Sequence, residues 1–289
     1  MVLIMKFALD IPITGEYTIE NVINLAQESE RSGWDGFFLW DVLLDAKEPK
    51  IPTLDPTVTL ASVALATKKI KLGLMLTPIA RRRPWKLARE LVTIDHLSKG
   101  RLIAGIGLGF NKEDFRAFGE NEDDKVRAEK LDESLEILVG LLSGQNINFT
   151  GKHYRVTNVT FNPQSYQKPR IPIWLGGFWP HKKPFRRAAK FEGMYAGMNN
   201  PTSSSQIDTM TPKDLKEIRE YISNYRDSMD RFDFMHYGDI TADYNKEKEN
   251  LQEWEKAGLT WWSQGNDFNS YQEHRERILE GPPKKSRNN

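Results

Sequence analysis

The sequence contains no cysteine, and this absence excludes several kinds of site at once. A chain without cysteine has no disulfide framework, no thiolate nucleophile and no cysteine-ligated metal centre. Its histidines are widely spaced, and none belongs to a His-x-x-x-His pair. The sequence therefore predicts no metal site.

An excess of charge and a long apolar run are also missing. The 289 residues carry 41 Lys and Arg against 40 Asp and Glu, so no net field draws the chain to nucleic acid or to an anionic membrane. No apolar run approaches the ~20 residues of a membrane-spanning helix, and the N-terminal MVLIMKFALDIP lacks a signal-peptide cleavage site. We expect a soluble cytoplasmic protein that acts on a small molecule; the sequence leaves a homodimer open.

What the sequence does contain is a repeated alternation of helical and strand patterns. Four charged helical segments end at a glycine that an apolar strand pattern follows, which predicts left-handed helix ends at Gly33, Gly100, Gly193 and Gly258. The strand patterns lie within 6–11, 32–40, 71–77, 98–107, 171–175, 191–198, 232–237 and 256–262. The helical patterns lie near 18–32, 56–67, 84–98, 123–143, 183–191, 212–229, 244–257 and 270–280.

Strict alternation predicts parallel strands, and eight such units close into a barrel; an open doubly wound sheet is the alternative. Between the fourth and fifth strands, NINFTGKHYRV (146–156) predicts a hairpin with its turn at Thr150-Gly151. We therefore predict an α/β fold, a single (β/α)8 TIM barrel over residues 1–280 with a β-hairpin insertion between strands 4 and 5. Residues 281–289 are predicted to be a disordered tail.

Glycines mark the end of the fourth strand. In SKGRLIAGIGLGF (98–110), Gly105, Gly107 and Gly109 occupy every second position and so share one face. Barrel active sites lie at the C-terminal strand ends, and glycine lets a ligand approach the backbone closely. Relief of crowding within the barrel explains the same pattern, so both interpretations stay open.

A second glycine pair, Gly176-Gly177, ends the fifth strand. The short basic helix that follows carries Arg186 and Arg187, and the amide groups of a helix N-terminus suit a phosphate. Two strand ends without side chains, one beside an anion site, predict a phosphorylated planar cofactor.

The stretch LTPIARRRPWKLARELVTIDHLSKGRLIAGIGLGFNKEDFRAFGE (76–120) resembles the signature region of the bacterial luciferase-like family of flavin- and deazaflavin-dependent oxidoreductases. GFFLWD (36–41), PIWLGG (172–177) and EKAGLTWW (255–262) resemble other segments of that family, in the expected order. The resemblance implies a parallel barrel that holds FMN or the deazaflavin coenzyme F420 at the C-terminal strand ends.

The resemblance also implies which residues form the cofactor site. It implies a non-proline cis peptide near Leu74-Met75, a cofactor-facing loop from Gly107 to Asn111, and phosphate binding at Gly176-Gly177. Arg187 is preferred to Arg186 as a phosphate ligand from its spacing on one helix face. The cofactor-binding residues are then Trp40, Leu74, Met75, Gly107, Leu108, Gly109, Asn111, Gly176, Gly177 and Arg187.

Two departures from the family bear on the reaction. Many deazaflavin-using relatives have histidine after the aspartate that ends the second strand, where this chain has Val42. Some dehydrogenase members have an acidic or hydroxyl-bearing residue after the glycines of the fourth strand, where this chain has Phe110. The departures favour a monooxygenase that uses reduced FMN and dioxygen, with Asp41 or His181 as proton donor. F420-dependent hydride transfer, or a flavin-binding barrel without turnover, are the alternatives. Without a Rossmann fingerprint, a separate flavin reductase is expected to supply the reduced flavin.

Other candidate residues have two interpretations each. The run Arg81-Arg82-Arg83 suits either a solvated loop or the attraction of an anionic ligand. His236 alternates with phenylalanines in the seventh strand, which favours a core position over one near the cofactor. Four tryptophans at strand ends either line an apolar pocket or pack in the core: Trp174, Trp179, Trp261 and Trp262.

Overall fold

In the computed structural model the chain alternates strands and helices as predicted. The structure describes residues 5–44, 50–199, 207–208, 210–264 and 270–283. The strands are β1 (Lys6–Ile11), β2 (Gly36–Leu39), β3 (Lys71–Pro78), β4 (Leu102–Gly107), β5 (Ile147–Thr150), β6 (Arg155–Val159), β7 (Ile173–Trp179), β8 (Gly193–Asn199), β9 (Ile207–Asp208), β10 (Asp233–Gly238) and β11 (Trp261–Gln264). The helices are α1 (Ile19–Ser32), α2 (Pro56–Ala66), α3 (Pro84–Ser98), α4 (Glu113–Arg116), α5 (Asp124–Leu142), α6 (Lys182–Ala188), α7 (Pro212–Ser223), α8 (Tyr244–Ala257) and α9 (Tyr271–Glu280).

Eight of the strands form a closed parallel barrel, which confirms the predicted TIM barrel. Their order in the sheet is β10-β11-β1-β2-β3-β4-β7-β8, and the pairing of β10 with β8 closes it. Strands β5 and β6 form a separate antiparallel hairpin between β4 and β7. Its loop, 151–154, is longer than the predicted two-residue turn, and the amide of Gly151 donates to the carbonyl of Tyr154 across it.

Three of the four predicted glycine helix ends are confirmed. Gly33, Gly100 and Gly258 have φ of 88°, 82° and 96°, a backbone region that glycine enters without steric cost. The helix end predicted at Gly193 is wrong, because this glycine is the first residue of β8 and is not among the residues with positive φ. A Cβ there would lie 2.5 Å from the indole of Trp174, so packing against a neighbouring strand accounts for this glycine.

The chain divides into two compact units. The first comprises Met1–Pro12, Asn24–Phe38 and Ile173–Asn289, and the second comprises Ile13–Ile23 and Leu39–Pro172. In the first unit, the rings of Phe38, Trp174 and Trp261 pack together with centroids 5.5 to 6.2 Å apart. In the second unit, α5 and α2 pack against α3.

The predicted disordered tail begins too early. Gly281, Pro282 and Pro283 are buried, the amide of Gly281 donates to the carbonyl of Ile278, and its own carbonyl accepts from Arg277. The rest of the predicted tail, 284–289, lies outside the described residues. Within the described ranges, no helix has the length and apolar character needed to cross a bilayer.

Candidate active site

The C-terminal half of β3, in the second unit, contains a non-proline cis peptide bond. It joins Met75 to Leu76, one residue later than the position that the resemblance implied. The side chains of Leu74 and Met75 are buried, and the pairing of β3 with β4 changes register between Leu74 and Thr77. The irregular part of β3 therefore lies beside the glycine-rich end of β4.

The three alternating glycines of the β4 region have different surroundings. A Cβ on Gly105 would overlap the carbonyl oxygen of Leu74, and a Cβ on Gly109 would lie 2.8 Å from the ring of Phe115. Gly109 also has a φ of 93°. A Cβ on Gly107 would lie 3.1 Å from Cβ of Leu76, a contact that a small shift relieves. Protein contacts alone are thus sufficient to require glycine at positions 105 and 109. Gly107 has the loosest surroundings of the three, so a ligand would explain its missing side chain best.

Arg127 of α5 binds the backbone of the loop after β4. Its guanidinium donates to the carbonyls of Leu108 (3.2 Å) and Gly109 (2.6 Å), pairs with Asp124 at 2.6 Å, and lies 4.7 Å from the centre of the Phe115 ring. Only 2% of the Arg127 side chain is exposed. The backbone of this loop is therefore fixed by the protein itself.

Sequence reasoning missed Arg127, although a signal was present. The residue stands four positions before Leu131, the first leucine of the buried stripe of α5. A cation on the apolar face of a helix is rare unless it is paired, and it predicts a buried partner.

Asp41, which follows β2, lies in a cluster of buried charges. Its carboxylate accepts from Arg81 at 2.6 Å and from Arg82 at 2.8 Å, and its backbone carbonyl accepts from Arg81 at 2.9 Å. The Asp41 side chain is fully buried, and that of Arg81 is 5% exposed. The solvated-loop interpretation of Arg81 and Arg82 is therefore wrong. A carboxylate held by two guanidinium groups suits the positioning of loops better than proton delivery.

Asp114 extends this cluster to the loop after β4. It accepts from the amides of Leu43 (3.3 Å) and Leu44 (3.1 Å) and from the side-chain amide of Asn111 (3.1 Å). The side-chain oxygen of Asn111 accepts in turn from the amide of Glu113. In these contacts Asn111 organises the loop, and Asp114, which the sequence did not single out, joins the loop to residues 43–44.

In the first unit, Gly177 lies where α6 packs on the end of β7. A Cβ there would lie 2.5 Å from Pro184 and 2.8 Å from Met194. His181 is the exposed N-cap residue of α6, and its side chain makes no capping hydrogen bond. Arg187 stands in the last turn of α6, about 7.5 Å along the axis from the first helical residue. Packing alone is thus sufficient to require glycine at position 177. Phosphate binding by Gly176, Gly177 and Arg187 stays a prediction.

His236 and Trp262 pack away from the Phe38–Trp174–Trp261 cluster. The His236 ring stacks on Trp254 of α8 at 4.3 Å and meets Trp262 edge to face at 5.3 Å. Burial lowers the pKa of His236 to about 4. The favoured interpretation of His236 as a core histidine is confirmed.

Comparison with known proteins assigns the chain to a family. The model of the luciferase-like monooxygenase family matches residues 2–280. The chain belongs to this family. Among luciferase-like relatives, an F420-dependent glucose-6-phosphate dehydrogenase of Nakamurella multipartita is 24% identical, over 78% of this chain and 64% of the relative. An FMNH2-dependent dimethylsulfone monooxygenase of Pseudomonas putida is 30% identical, over 53% of this chain and 42% of the relative.

A solved structure agrees with the luciferase-like fold. The coenzyme F420-dependent tetrahydromethanopterin reductase of Methanopyrus kandleri superposes with a TM-score of 0.74 over 96% of both chains, at 18% identity. At that identity the likeness concerns the fold alone. The chain spans only 42% to 64% of the length of the two curated relatives, whose names include both flavin and deazaflavin enzymes. The family is thus one of flavin- and F420-dependent oxidoreductases.

Proposed function

We propose that this luciferase-like protein is a monooxygenase that uses reduced FMN and dioxygen on a small organic substrate. The observation that supports the proposal most is the environment of Asp41, whose carboxylate is engaged by Arg81 and Arg82. Val42 and Phe110 stand at the two positions where hydride-transfer relatives are expected to carry an acid or base. These strand ends therefore favour a reaction in which the cofactor carries the difficult chemistry.

The residues after β4 fit a flat cofactor. At Gly107 the backbone carries no side chain, and the carbonyls of Leu108 and Gly109 point back to the buried Arg127. A loop that is already ordered loses little conformational entropy when a ligand binds to it. We propose that Gly107, Leu108, Gly109 and Asn111 contact the cofactor ring.

The family resemblance supports further cofactor-binding residues. We propose that Leu74 and Met75 of β3, and Trp40 directly after β2, contact the ring, and that Gly176, Gly177 and Arg187 bind the phosphate. FMN, when bound in its reduced form, supplies the electrons that activate dioxygen.

The chain's own part is to orient the substrate, exclude water and hold a proton. The exposed His181 is our candidate proton donor, because Asp41 is held by its arginines. A separate flavin reductase is proposed to supply the reduced flavin; the name of one relative specifies dependence on FMNH2.

Deazaflavin-dependent hydride transfer is the second candidate function. It is favoured by the long match to an F420-dependent dehydrogenase, which covers 78% of this chain. In this reaction the substrate loses a hydride to the oxidised cofactor and a proton to the protein, so an acid–base residue must lie next to it.

The test separates the two reactions by the fate of oxygen. The purified chain is mixed with small organic compounds, isotope-labelled dioxygen, and FMN that a flavin reductase keeps reduced. We expect one labelled oxygen atom in a product, and none when the flavin is left oxidised. Reduction of F420 by a substrate under strict anaerobiosis, without oxygen transfer, would overturn the proposal in favour of the second candidate. Failure to bind either cofactor would overturn both.

A further inference from the structure

The Phe38–Trp174–Trp261 cluster identifies the inner face of the first unit's strands. These three rings come from β2, β7 and β11, and they meet within 6.2 Å of one another. Because successive residues of a strand point to opposite faces, Ser263 shares the face of Trp261, and Gly176 shares that of Trp174.

Strand register places four polar residues on this inner face. Ser263 is level with Tyr237 of β10 and with Ala8 of β1, and Asp10 follows two residues after Ala8. Tyr195 of β8 is level with Gly176. We call these four the polar layer: Asp10, Tyr195, Tyr237 and Ser263. Ser263 follows Trp261 by two residues along β11, and Gly176, which is level with Tyr195, follows Trp174 by two residues along β7. Both steps lead towards the C-terminal strand ends, where barrel enzymes bind substrates.

Two contacts characterise the polar layer. The hydroxyl of Tyr195 donates to Oδ2 of Asp10 at 3.2 Å, and Asp10 is 3% exposed. Burial, and next the negative charge of Asp10, raise the pKa of Tyr195 well above its usual value, so this phenol keeps its proton. The hydroxyl of Ser263 is fully buried and has no hydrogen-bond partner among the residues that the structure describes.

A buried hydroxyl without a partner is rare in proteins, because its lost hydration is not compensated. Tyr195 already directs its proton to Asp10, so its oxygen has lone pairs left for a donor from a ligand. The neighbouring aromatic cluster is apolar, and each of its three side chains is at most 1% exposed. A ligand that carries both an aromatic ring and a hydroxyl group matches these features together.

We propose that the polar layer is a substrate subsite for a small phenol, whose hydroxyl group donates to Tyr195 and accepts from Ser263. Asp10 acts as a positioning residue, because it sets the direction of the Tyr195 hydroxyl without touching the ligand. The inference rests on the proposed function in that it names the substrate class of that reaction. It assigns roles to residues for which the sequence offered no motif.

Equilibrium dialysis of the purified full chain, without any flavin, tests the subsite. The probes are para-nitrophenol, at a mildly acidic pH where it keeps its proton, and its methyl ether para-nitroanisole, which cannot donate. We expect the phenol to bind about tenfold more tightly than the ether, as one hydrogen bond predicts. Tyr195→Phe removes this preference and leaves the affinity for the ether unchanged, whereas the control Tyr221→Phe on α7 alters neither. Equal affinity for the two probes, or no binding of the phenol, would overturn the inference.

Ser263→Ala provides a second variant that does not disturb Tyr195 and Asp10. Because the serine hydroxyl has no partner, we expect the variant to unfold at the wild-type temperature or slightly above it, and to bind the phenol several-fold more weakly. A clear loss of thermal stability, or an unchanged affinity for the phenol, would contradict the proposed role of Ser263. Since no flavin is present in these experiments, their failure is distinct from failure of the oxygen-transfer test.

Discussion

Alanine substitutions at Gly107 and Gly109 should separate cofactor binding from stability. Gly109→Ala places a Cβ 2.8 Å from the Phe115 ring and 3.0 Å from Pro78, on a residue with φ of 93°. Gly107→Ala meets only Leu76, at 3.1 and 3.4 Å, and the amide of Gly109 at 3.9 Å. We expect the first variant to lose stability and the second to lose FMN affinity.

The size of the stability loss follows from these contacts. A left-handed conformation costs a residue with a Cβ about 1–2 kcal/mol, and overpacking a well-filled site costs roughly 1–3 kcal/mol. Gly109→Ala should therefore destabilise the protein by roughly 2–5 kcal/mol, and Gly107→Ala by less than about 1 kcal/mol. Gly119 provides the matched control: it has φ of 69° and nothing within 4 Å of an added Cβ, so its alanine variant reports the conformational cost alone.

Urea unfolding of the three variants measures stability, and equilibrium dialysis with reduced FMN under anaerobic conditions measures binding. A Gly109→Ala midpoint equal to that of Gly119→Ala would show that the contact with Phe115 is relieved without cost. Wild-type FMN affinity in Gly107→Ala would refute the placement of the cofactor at this strand end.

Three further changes test other parts of the structure. Asp41→Asn removes the counter-charge of the buried Arg81 guanidinium and of the partly buried Arg82, and should destabilise the protein by about 3 kcal/mol in urea unfolding. An unchanged midpoint would show that the cluster adds no stability. Burial lowers the pKa of His236 and of His274 to about 4, below the usual 6.5, so the unfolded state binds more protons between these values. The free energy of unfolding should keep its full value above pH ~6.5 and fall as the pH drops, by roughly 2 kcal/mol per histidine at pH ~5. A free energy of unfolding that stays constant over this range would contradict the prediction. Arg187→Ala should weaken FMN more than riboflavin, and equal losses would place the phosphate elsewhere.

The alternation of strands and helices was predictable because its signals are local. The hydrophobic period and the helix-ending glycines can each be recognised from a few consecutive residues. Together they predict the position of every strand of the barrel. Gly193 shows the limit of such reasoning. The sequence looks the same there as at Gly258, but the cause is the indole of Trp174, which another strand brings next to it.

The candidate site was less predictable, because its contacts join separate loops. The charges of Asp41, Arg81 and Arg82 are plain in the sequence, but their pairing depends on how the loops after β2 and β3 meet. Likewise, Asp10 and Tyr195 are 185 residues apart, and only closure of the sheet makes them neighbours. At such sites the residue types suggest which side chains are candidates for function, but they do not show which side chains form ion pairs or hydrogen bonds with each other.

The anchoring of the β4 loop by Arg127 has a consequence for how this site can change. Because α5 fixes the carbonyls of residues 108 and 109, inserting or deleting a residue here would pull both oxygens off the guanidinium. The side chains at 108 and 110 can be exchanged while those two hydrogen bonds, and the ones that Asn111 makes within the loop, remain. New ligand preferences at this loop should therefore arise by substitution, with its length conserved, and a library built for altered specificity should vary these two positions and leave Asn111 and Arg127 in place.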